Sequence, residues 1–166
     1  MRPLTDTTPK PLLKVRGKPL IYYHLEKLAA QGIQQVVINH AWLGEQIEQT
    51  LGSGEQFGLE ILFSPEPQGG LETAGGIIRA LPMLGNEPFW LINGDIFTSV
   101  DFSELPRQLP NGKLAHLLLA QNPPHNQHGD FAVKCGMLQF ATEATQTYTY
   151  TAVSYTHLTL PTKRIV

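Results

Sequence analysis

Apolar residues in the first third of the chain recur with helical spacing and then with the spacing of a strand. Between Pro19 and Gly32 they fall at every third or fourth position, which predicts a helix with one buried face formed by Leu20, Ile21, His24, Leu25, Leu28 and Ala29. Proline suits the first turn of a helix, and glycine suits its end. The β-branched run Val36-Val37-Ile38 follows and is typical of a strand buried on both faces. A helix followed by a buried strand indicates an α/β repeat.

The same order recurs along the next fifty residues. Residues 44–51 predict a short helix ending at Gly52, and alternation over 59–63 predicts a strand. After the loop 64–70, a helix is predicted from Glu72 to about Leu81, and then a buried strand over 89–92. Strands that alternate with helices indicate a parallel sheet, with ligands bound beyond the carboxyl ends of its strands.

Beyond Asp101 the pattern is weaker and favours a mixed or antiparallel region. The predicted elements are a short helix over 103–109 interrupted by Pro106, a buried strand over 114–120, a loop over 121–130, and strands within 131–140 and over 147–150.

Composition bounds the class of protein. A chain of 166 residues with 42% hydrophobic residues fits one domain with a real core. The net charge of -2 argues against a nucleic-acid-binding protein, and no apolar run reaches membrane-spanning length. The single cysteine, Cys135, cannot form an internal disulfide; we expect it to be a buried small residue in a reducing, cytoplasmic protein.

The opening segment, 1–20, contains four prolines and five Lys or Arg residues and has no helical or strand period. Prolines 9, 11 and 19 are expected to hold it extended, so that Lys10 and Lys14 lie on a stiff strip. Lysine is a compact charge suited to a phosphate. The alternative is a proline-rich solvated arm whose lysines bind nothing specific.

Two further segments carry candidate chemistry. Asp95 follows a predicted buried strand, and its carboxylate suits a nucleotide-bound Mg²⁺, although aspartate is also common in turns. The glycines of 69–76 let a backbone approach a ligand, or alternatively allow a flexible loop and close helix packing.

These segments resemble the sugar-1-phosphate nucleotidyltransferases, and within them the MurNAc-1-phosphate uridylyltransferases. The matching motifs are MRPLT at the start, PKPLLKVRGKPL up to Leu20, and WLINGDI around Asp95. The resemblance covers about residues 1–150. It implies a Rossmann-like, doubly wound, mostly parallel sheet of GT-A type. The fold is expected to be incomplete, because the family's first strand, its glycine-rich turn with a catalytic Arg, its second metal carboxylate and most of its sugar-binding wall have no counterpart here.

The resemblance also implies roles for individual residues. Lys10 corresponds to the phosphate lysine, and Asp95 corresponds to the aspartate that binds Mg²⁺. The nucleotide is expected to be bound around Glu72, Thr73 and Ala74, with Glu66 as a further candidate for base contact and with Asn93 and Gly94 beside the metal aspartate. Lys14 and Lys18 lie in the same motif as Lys10, and Arg2 is not expected to replace the catalytic Arg.

The implied reaction joins a nucleoside triphosphate to a sugar 1-phosphate and releases pyrophosphate. UTP and MurNAc 1-phosphate are the favoured pair, in nucleotide-sugar synthesis for cell-wall recycling. GTP with mannose 1-phosphate is the alternative within the family, and a non-catalytic nucleotide- or sugar-phosphate-binding module is the alternative outside it. Because a missing central strand leaves interior backbone groups unpaired, we expect the chain as written to be inactive and poorly folded. The sequence leaves the oligomeric state open.

The last segment, 151–166, departs from the family pattern, which continues with small residues of the type S-G-I. We interpret it as a non-native tail resembling translated adapter sequence, the alternative being a divergent natural terminus. His125, His128 and Asp130 could suggest zinc. However, His-x-x-His in a loop without two further ligands is a poor tetrahedral pattern, and the family's similar turn does not need a metal.

Overall fold

The computed structural model describes residues 2–67, 69–140 and 146–157. The described chain falls into two compact units. The first holds the chain up to Glu87 together with Gly94–Leu105, and the second holds Pro88–Asn93 and Pro106–His157. The predicted features at Met1, Gln68 and 158–166 lie outside the described residues. The division of the chain at residue 150 into a catalytic domain and a tail stays a prediction.

The first unit begins with short turns rather than with one extended strip. Two 3₁₀ turns, Leu4–Asp6 and Lys10–Leu12, precede a two-residue hairpin of β1 (Lys14–Val15) and β2 (Lys18–Pro19). The expectation of a continuously extended segment is therefore wrong at Lys10–Leu12. Pro9 is extended, with ψ 141°, but Pro11 lies inside the turn, where its fixed φ is equally acceptable.

Helix α1 (Leu20–Ala30) confirms the predicted apolar stripe, with Leu20, Ile21, His24, Leu25 and Leu28 buried. Gly32 ends it with φ 75°, and its amide donates to the Ala29 carbonyl while the amide of Ile33 donates to Leu28. This pair of bonds is the Schellman ending that glycine favours.

A parallel strand pair forms the centre of the first unit. Strand β3 (Gln35–His40), helix α2 (Gly44–Leu51), strand β4 (Glu60–Pro65) and helix α3 (Glu72–Leu84) follow in order, and β3 pairs with β4 in the register Val36 to Ile61. The core consists of buried side chains from the opening turn, α1, α2 and the β4 region: Leu12, Ile21, Leu25, Ile47, Leu51, Leu59 and Ile61. This arrangement confirms the predicted α/β repeat.

Burial and length differ from expectation in two of these elements. The β-branched residues of β3 are half-buried rather than buried on both faces, and β4 is the one strand paired with β3 in the described chain. Helix α3 continues past Leu81 to Leu84 with Pro82 inside it, because the amide of Gly85 still closes the last turn on the Leu81 carbonyl. Ile78, one of the apolar residues of this helix, is 55% exposed.

The first unit ends in an irregular segment. The helix expected over 103–109 is reduced to a single 3₁₀ turn, Phe102–Glu104. Leu105 is extended, with ψ 142°, because the proline that follows it disfavours a helical conformation at the preceding residue.

The second unit is an antiparallel sheet, as expected for the region beyond Asp101. It comprises β5 (Phe89–Ile92), β6 (Ala115–Ala120), β7 (Phe131–Lys134), β8 (Met137–Gln139) and β9 (Thr147–Thr156). Strand β9 pairs with β5, β6 and β7, so it continues through residues 151–156 of the segment interpreted as a tail. β5 and β6 were predicted as buried strands, but β5 is half-buried and β6 is half-buried to exposed.

Cys135 is exposed, so the prediction of a buried residue is wrong. It occupies the two-residue turn between β7 and β8, where Cys135 and Gly136 have φ of 52° and 73°. Both central residues of such a hairpin turn adopt positive φ, and they lie at the tip. Among the described residues, no helix is long and apolar enough to cross a membrane.

Candidate functional site

The structure brings together the two residues predicted to act on phosphate and metal. Lys10 Nζ lies 3.7 Å from Asp95 Oδ2. The turn that carries Lys10 passes against the glycine before the aspartate: a Cβ built on Gly94 would lie 3.7 Å from Pro11 and 3.8 Å from Ile21. The core position of Ile21 in α1 thus supports the approach of these two segments.

The Lys10–Asp95 pair is open to solvent, with side chains 56% and 38% exposed. An exposed ion pair of this kind contributes only about 0–1 kcal/mol to stability. The carboxylate can therefore exchange its lysine partner for another cation at little cost, and the lysine can turn to an anion.

The glycine-rich loop is connected to β4 by Glu66. Its Oε2 accepts a hydrogen bond at 2.7 Å from the amide of Leu71, the residue before α3. Its Oε1 lies so near Gly76 that a Cβ there would come within 2.4 Å of it and within 2.8 Å of Asn39 Nδ2. Gly76 thus permits helix α3 to pack closely against the Glu66 carboxylate. Close helix packing was the alternative to ligand binding for the glycines of 69–76.

The predicted nucleotide-binding residues lie at the start of α3 and after β5. Gly69 and Gly70 have φ of 101° and 73°, a conformation that glycine adopts without strain. Glu72, Thr73 and Ala74 form the first turn of α3, with Thr73 and Ala74 exposed. Asn93 belongs to the second unit, where its amide donates to the Ala152 carbonyl at 3.1 Å.

The other basic residues of the opening segment differ in their contacts. Arg2 pairs with Asp6 at 3.3 Å. Lys18 pairs with Glu26 and lies 4.2 Å from the Tyr23 ring centroid, so it is already engaged, whereas Lys14 is exposed. Lys10 is thus the lysine of this segment that lies beside the aspartate.

The loop that contains His125 and His128 is stabilised by hydrogen bonds to Asp130. The two carboxylate oxygens of Asp130 accept from Asn126 Nδ2 at 3.3 Å and from the amide of Tyr150 at 2.8 Å. In the part of the chain that is described, no three His, Cys, Asp or Glu side chains gather into a metal-binding group.

Two residues of α1, for which the sequence predicts no functional role, contact the segment after Asp95. His24 Nε2 lies 2.6 Å from the Ile96 carbonyl oxygen, and Lys27 Nζ donates to the carbonyls of Thr98 and Val100 at 2.7 and 2.8 Å. Burial lowers the pKa of His24; the bond to Ile96 opposes this, and Lys27 adds to the lowering. The sequence signal for this contact is a histidine within an apolar stripe. The stripe does not identify the partner, Ile96, which lies 72 residues further along the chain.

Comparison with known proteins identifies the family. A model of the nucleotidyl transferase family matches residues 1–133. The chain belongs to the nucleotidyl transferase family. The family predicted from the residue motifs is therefore confirmed.

Two relatives show where this nucleotidyl transferase chain stands within the family. It is 58% identical over 136 residues to N-acetylmuramate alpha-1-phosphate uridylyltransferase of Neisseria meningitidis serogroup B, covering 80% of this chain and 59% of that protein. It is 36% identical over 108 residues to mannose-1-phosphate guanylyltransferase catalytic subunit beta of Drosophila melanogaster, covering 63% of this chain and 29% of that protein. The chain thus spans about three fifths of the length of the Neisseria relative.

A solved structure confirms the fold class. A protein of Bacillus anthracis assigned as a glucose-1-phosphate thymidylyltransferase, in complex with sucrose, superposes with a TM-score of 0.78. The superposition covers 95% of this chain and 66% of that one at 20% identity, so it shows the fold alone.

Proposed function

We propose that this chain forms the nucleotide- and phosphate-binding part of a sugar-1-phosphate nucleotidyltransferase, with UTP and MurNAc 1-phosphate as the favoured substrates. The observation that carries the proposal is the juxtaposition of Lys10 and Asp95, 3.7 Å apart and open to solvent. The 58% identity to a protein named for this reaction favours this pair of substrates over GTP and mannose 1-phosphate, for which the named relative is 36% identical.

The reaction needs no general base. The nucleophile is a phosphate oxygen of the sugar 1-phosphate, already ionised near neutrality because its second pKa is about 6. It attacks the nucleotide's α-phosphorus, and pyrophosphate leaves. Catalysis of this type consists of positioning and charge neutralisation. Lys10 would neutralise phosphate charge, which fits its exposed ammonium.

A single accessible carboxylate such as Asp95 fits Mg²⁺, which is bound by one or two carboxylates together with phosphate and water oxygens. When bound, Mg²⁺ would supply further charge neutralisation at the nucleotide phosphates. Asp95 is the residue of the described chain that would hold it.

The nucleotide would lie along the start of α3. Thr73 and Ala74 are exposed there, beside Glu72 in the same turn, and amide groups in a first turn attract anions. Glu66 would contribute by holding the loop that leads into this turn, since its carboxylate is bonded to Leu71 and packs against Gly76. Gly94, in the same unit as Asp95, would leave room for the phosphates beside that carboxylate. A cytoplasmic location and a role in cell-wall recycling belong to the same proposal.

Calorimetric titration of UTP and of GTP, each with MgCl₂, tests the proposal on the 166-residue chain. UTP is expected to bind more tightly. Asp95→Asn is expected to lose the magnesium-dependent part of the affinity, whereas Glu87→Gln, an exposed carboxylate, serves as the matched control. Tighter binding of GTP would favour the guanylyltransferase alternative, and no binding of either would overturn the proposal. Pyrophosphate release from UTP and MurNAc 1-phosphate would contradict the prediction that this chain is inactive.

A further inference from the structure

The segment that follows Asp95 has no helix or strand of its own, yet α1 holds it at three points. The Ile96 carbonyl bonds to His24, and the carbonyls of Thr98 and Val100 both bond to Lys27. The three bonds are 2.6–2.8 Å long, and the two from Lys27 are charge-assisted, which makes them stronger than neutral ones.

The two side chains that make these bonds are themselves fixed by Phe102, which is 1% exposed. The His24 ring stacks on Phe102 with centroids 6.4 Å apart, and the Lys27 ammonium lies 5.2 Å from the same ring centroid. Since His24 Nε2 donates to a carbonyl, it carries the proton, and Nδ1 is left buried without a hydrogen-bond partner among the described residues. A buried nitrogen without a partner costs free energy, and an apolar residue at this position would avoid that cost. The hydrogen bond to Ile96 therefore accounts for a histidine at position 24.

Within the described parts of the chain, the side chain of Asp95 has no comparable support. It is 38% exposed, and its partner Lys10 is more exposed still, so the ion pair does little to fix its position. The position of the carboxylate must therefore come from the backbone, and the nearest fixed point after it is the Ile96 carbonyl.

We propose that His24 and Lys27 are positioning residues that hold the Asp95 carboxylate where it meets the metal–nucleotide complex, a role that rests on the proposed function. Misplacement of a positioning group by about 1 Å can cost about a hundredfold in reaction rate. Both residues act through the backbone of Ile96–Val100 and do not touch substrate.

The test uses four variants of the 166-residue chain. Lys27→Met keeps the stem and removes the donors, and Lys27→Arg restores donors. His24→Phe keeps a ring against Phe102 and removes the donor. Lys113→Met, at an exposed lysine, is the matched control. Hydrogen exchange of the amides of 96–100 reports the tether without any ligand. Water-proton relaxation with MnCl₂ and UTP reports binding at the carboxylate.

Loss of either set of donors is expected to speed exchange of 96–100 and to weaken Mn²⁺–UTP binding, each by about tenfold, which is the scale of a charge-assisted or buried hydrogen bond. Lys27→Arg should recover most of both effects, and Lys113→Met should match the wild type.

Two results would overturn the inference while leaving the proposed function intact. One is unchanged exchange in Lys27→Met and His24→Phe. The other is faster exchange or a lower melting temperature with unchanged Mn²⁺–UTP affinity, which would mean a structural role only. A wild-type chain that does not bind Mn²⁺–UTP at all would refute the proposed function, and the positioning role with it.

Discussion

The carboxylate of Glu66 caps the start of α3 by accepting the Leu71 amide, with Oε2 2.7 Å from the nitrogen. The first four amides of a helix, counted from the residue before it, have no partner within the helix, and this bond satisfies one of them. A negative charge at this end is also favourable for the helix dipole. Glu66 therefore connects the end of β4, the glycine-rich loop and the proposed nucleotide-binding turn.

Glu66→Ala is expected to lower the free energy of unfolding by about 1 kcal/mol, the usual cost of losing such a cap. Glu66→Gln keeps a carbonyl oxygen as acceptor and should lower the free energy of unfolding by less, about 0.3 kcal/mol, through the lost charge. Urea denaturation followed by tryptophan fluorescence measures both, with Glu87→Gln as control. Equal losses of unfolding free energy in Glu66→Gln and Glu66→Ala would contradict the capping role. If Glu66 also contacts the base, Glu66→Gln will in addition weaken UTP binding.

The elements that could be predicted are those whose causes are local. Helix α1 follows from Pro19, Gly32 and a stripe of apolar residues between them, and the structure shows the same buried positions. The proximity of Lys10 and Asp95 was implied by the family resemblance and not by the spacing of residues. The two residues lie in separate loops, whose side chains come close only when the chain is folded.

The features that could not be predicted depend on partners far along the chain. The pattern at Phe89–Ile92 gives a strand but not its antiparallel partner β9. His24 looked like one apolar position among several, and its role depends on the Ile96 carbonyl. Cys135 was misjudged because residue type favours burial, whereas the hairpin turn places that position at the surface.

Ala152 offers a test of backbone strain in β9. It has φ 58° where the β6–β9 register shifts, and its side chain is 6% exposed. Alanine is disfavoured in this left-handed conformation. We expect Ala152→Gly to raise the free energy of unfolding by about 0.5–1 kcal/mol, as relief of left-handed strain exceeds the entropic cost of glycine.

The matched control is Ala132→Gly in β7, also buried but not among the residues with positive φ. It should lower stability by about 0.5–1 kcal/mol. Urea denaturation of both variants decides the matter: a loss of equal size at the two positions would show that Ala152 is not strained.

Stability should depend on pH through His24. Burial lowers the pKa of this histidine below its ordinary value of 6.5, so below that pH the unfolded chain binds more protons than the folded one. The contribution of neutral His24 to stability is therefore fully present above pH 6.5. The free energy of unfolding falls as the pH drops from 6.5 toward the lowered pKa. His24→Phe should remove this part of the slope, and His128→Gln, at an exposed histidine, should keep it. Identical slopes in urea midpoints for wild type and His24→Phe would contradict the assignment.

The prediction that the chain is poorly folded can be tested together with nucleotide binding in one thermal experiment. A domain has a stability of only about 5–15 kcal/mol, so a poorly folded chain is expected to give a low and broad melting transition. A ligand that binds only the folded state raises the free energy of unfolding by RT ln(1 + [L]/Kd), which is about 2.7 kcal/mol at a ligand concentration of a hundred times Kd. UTP with MgCl₂ should therefore raise the midpoint of the wild type and of Glu87→Gln, but not that of Asp95→Asn. A sharp, high transition without ligand would refute poor folding, whereas a cooperative transition that UTP and MgCl₂ leave unmoved would mean that the residues of the site are present but do not form a nucleotide pocket.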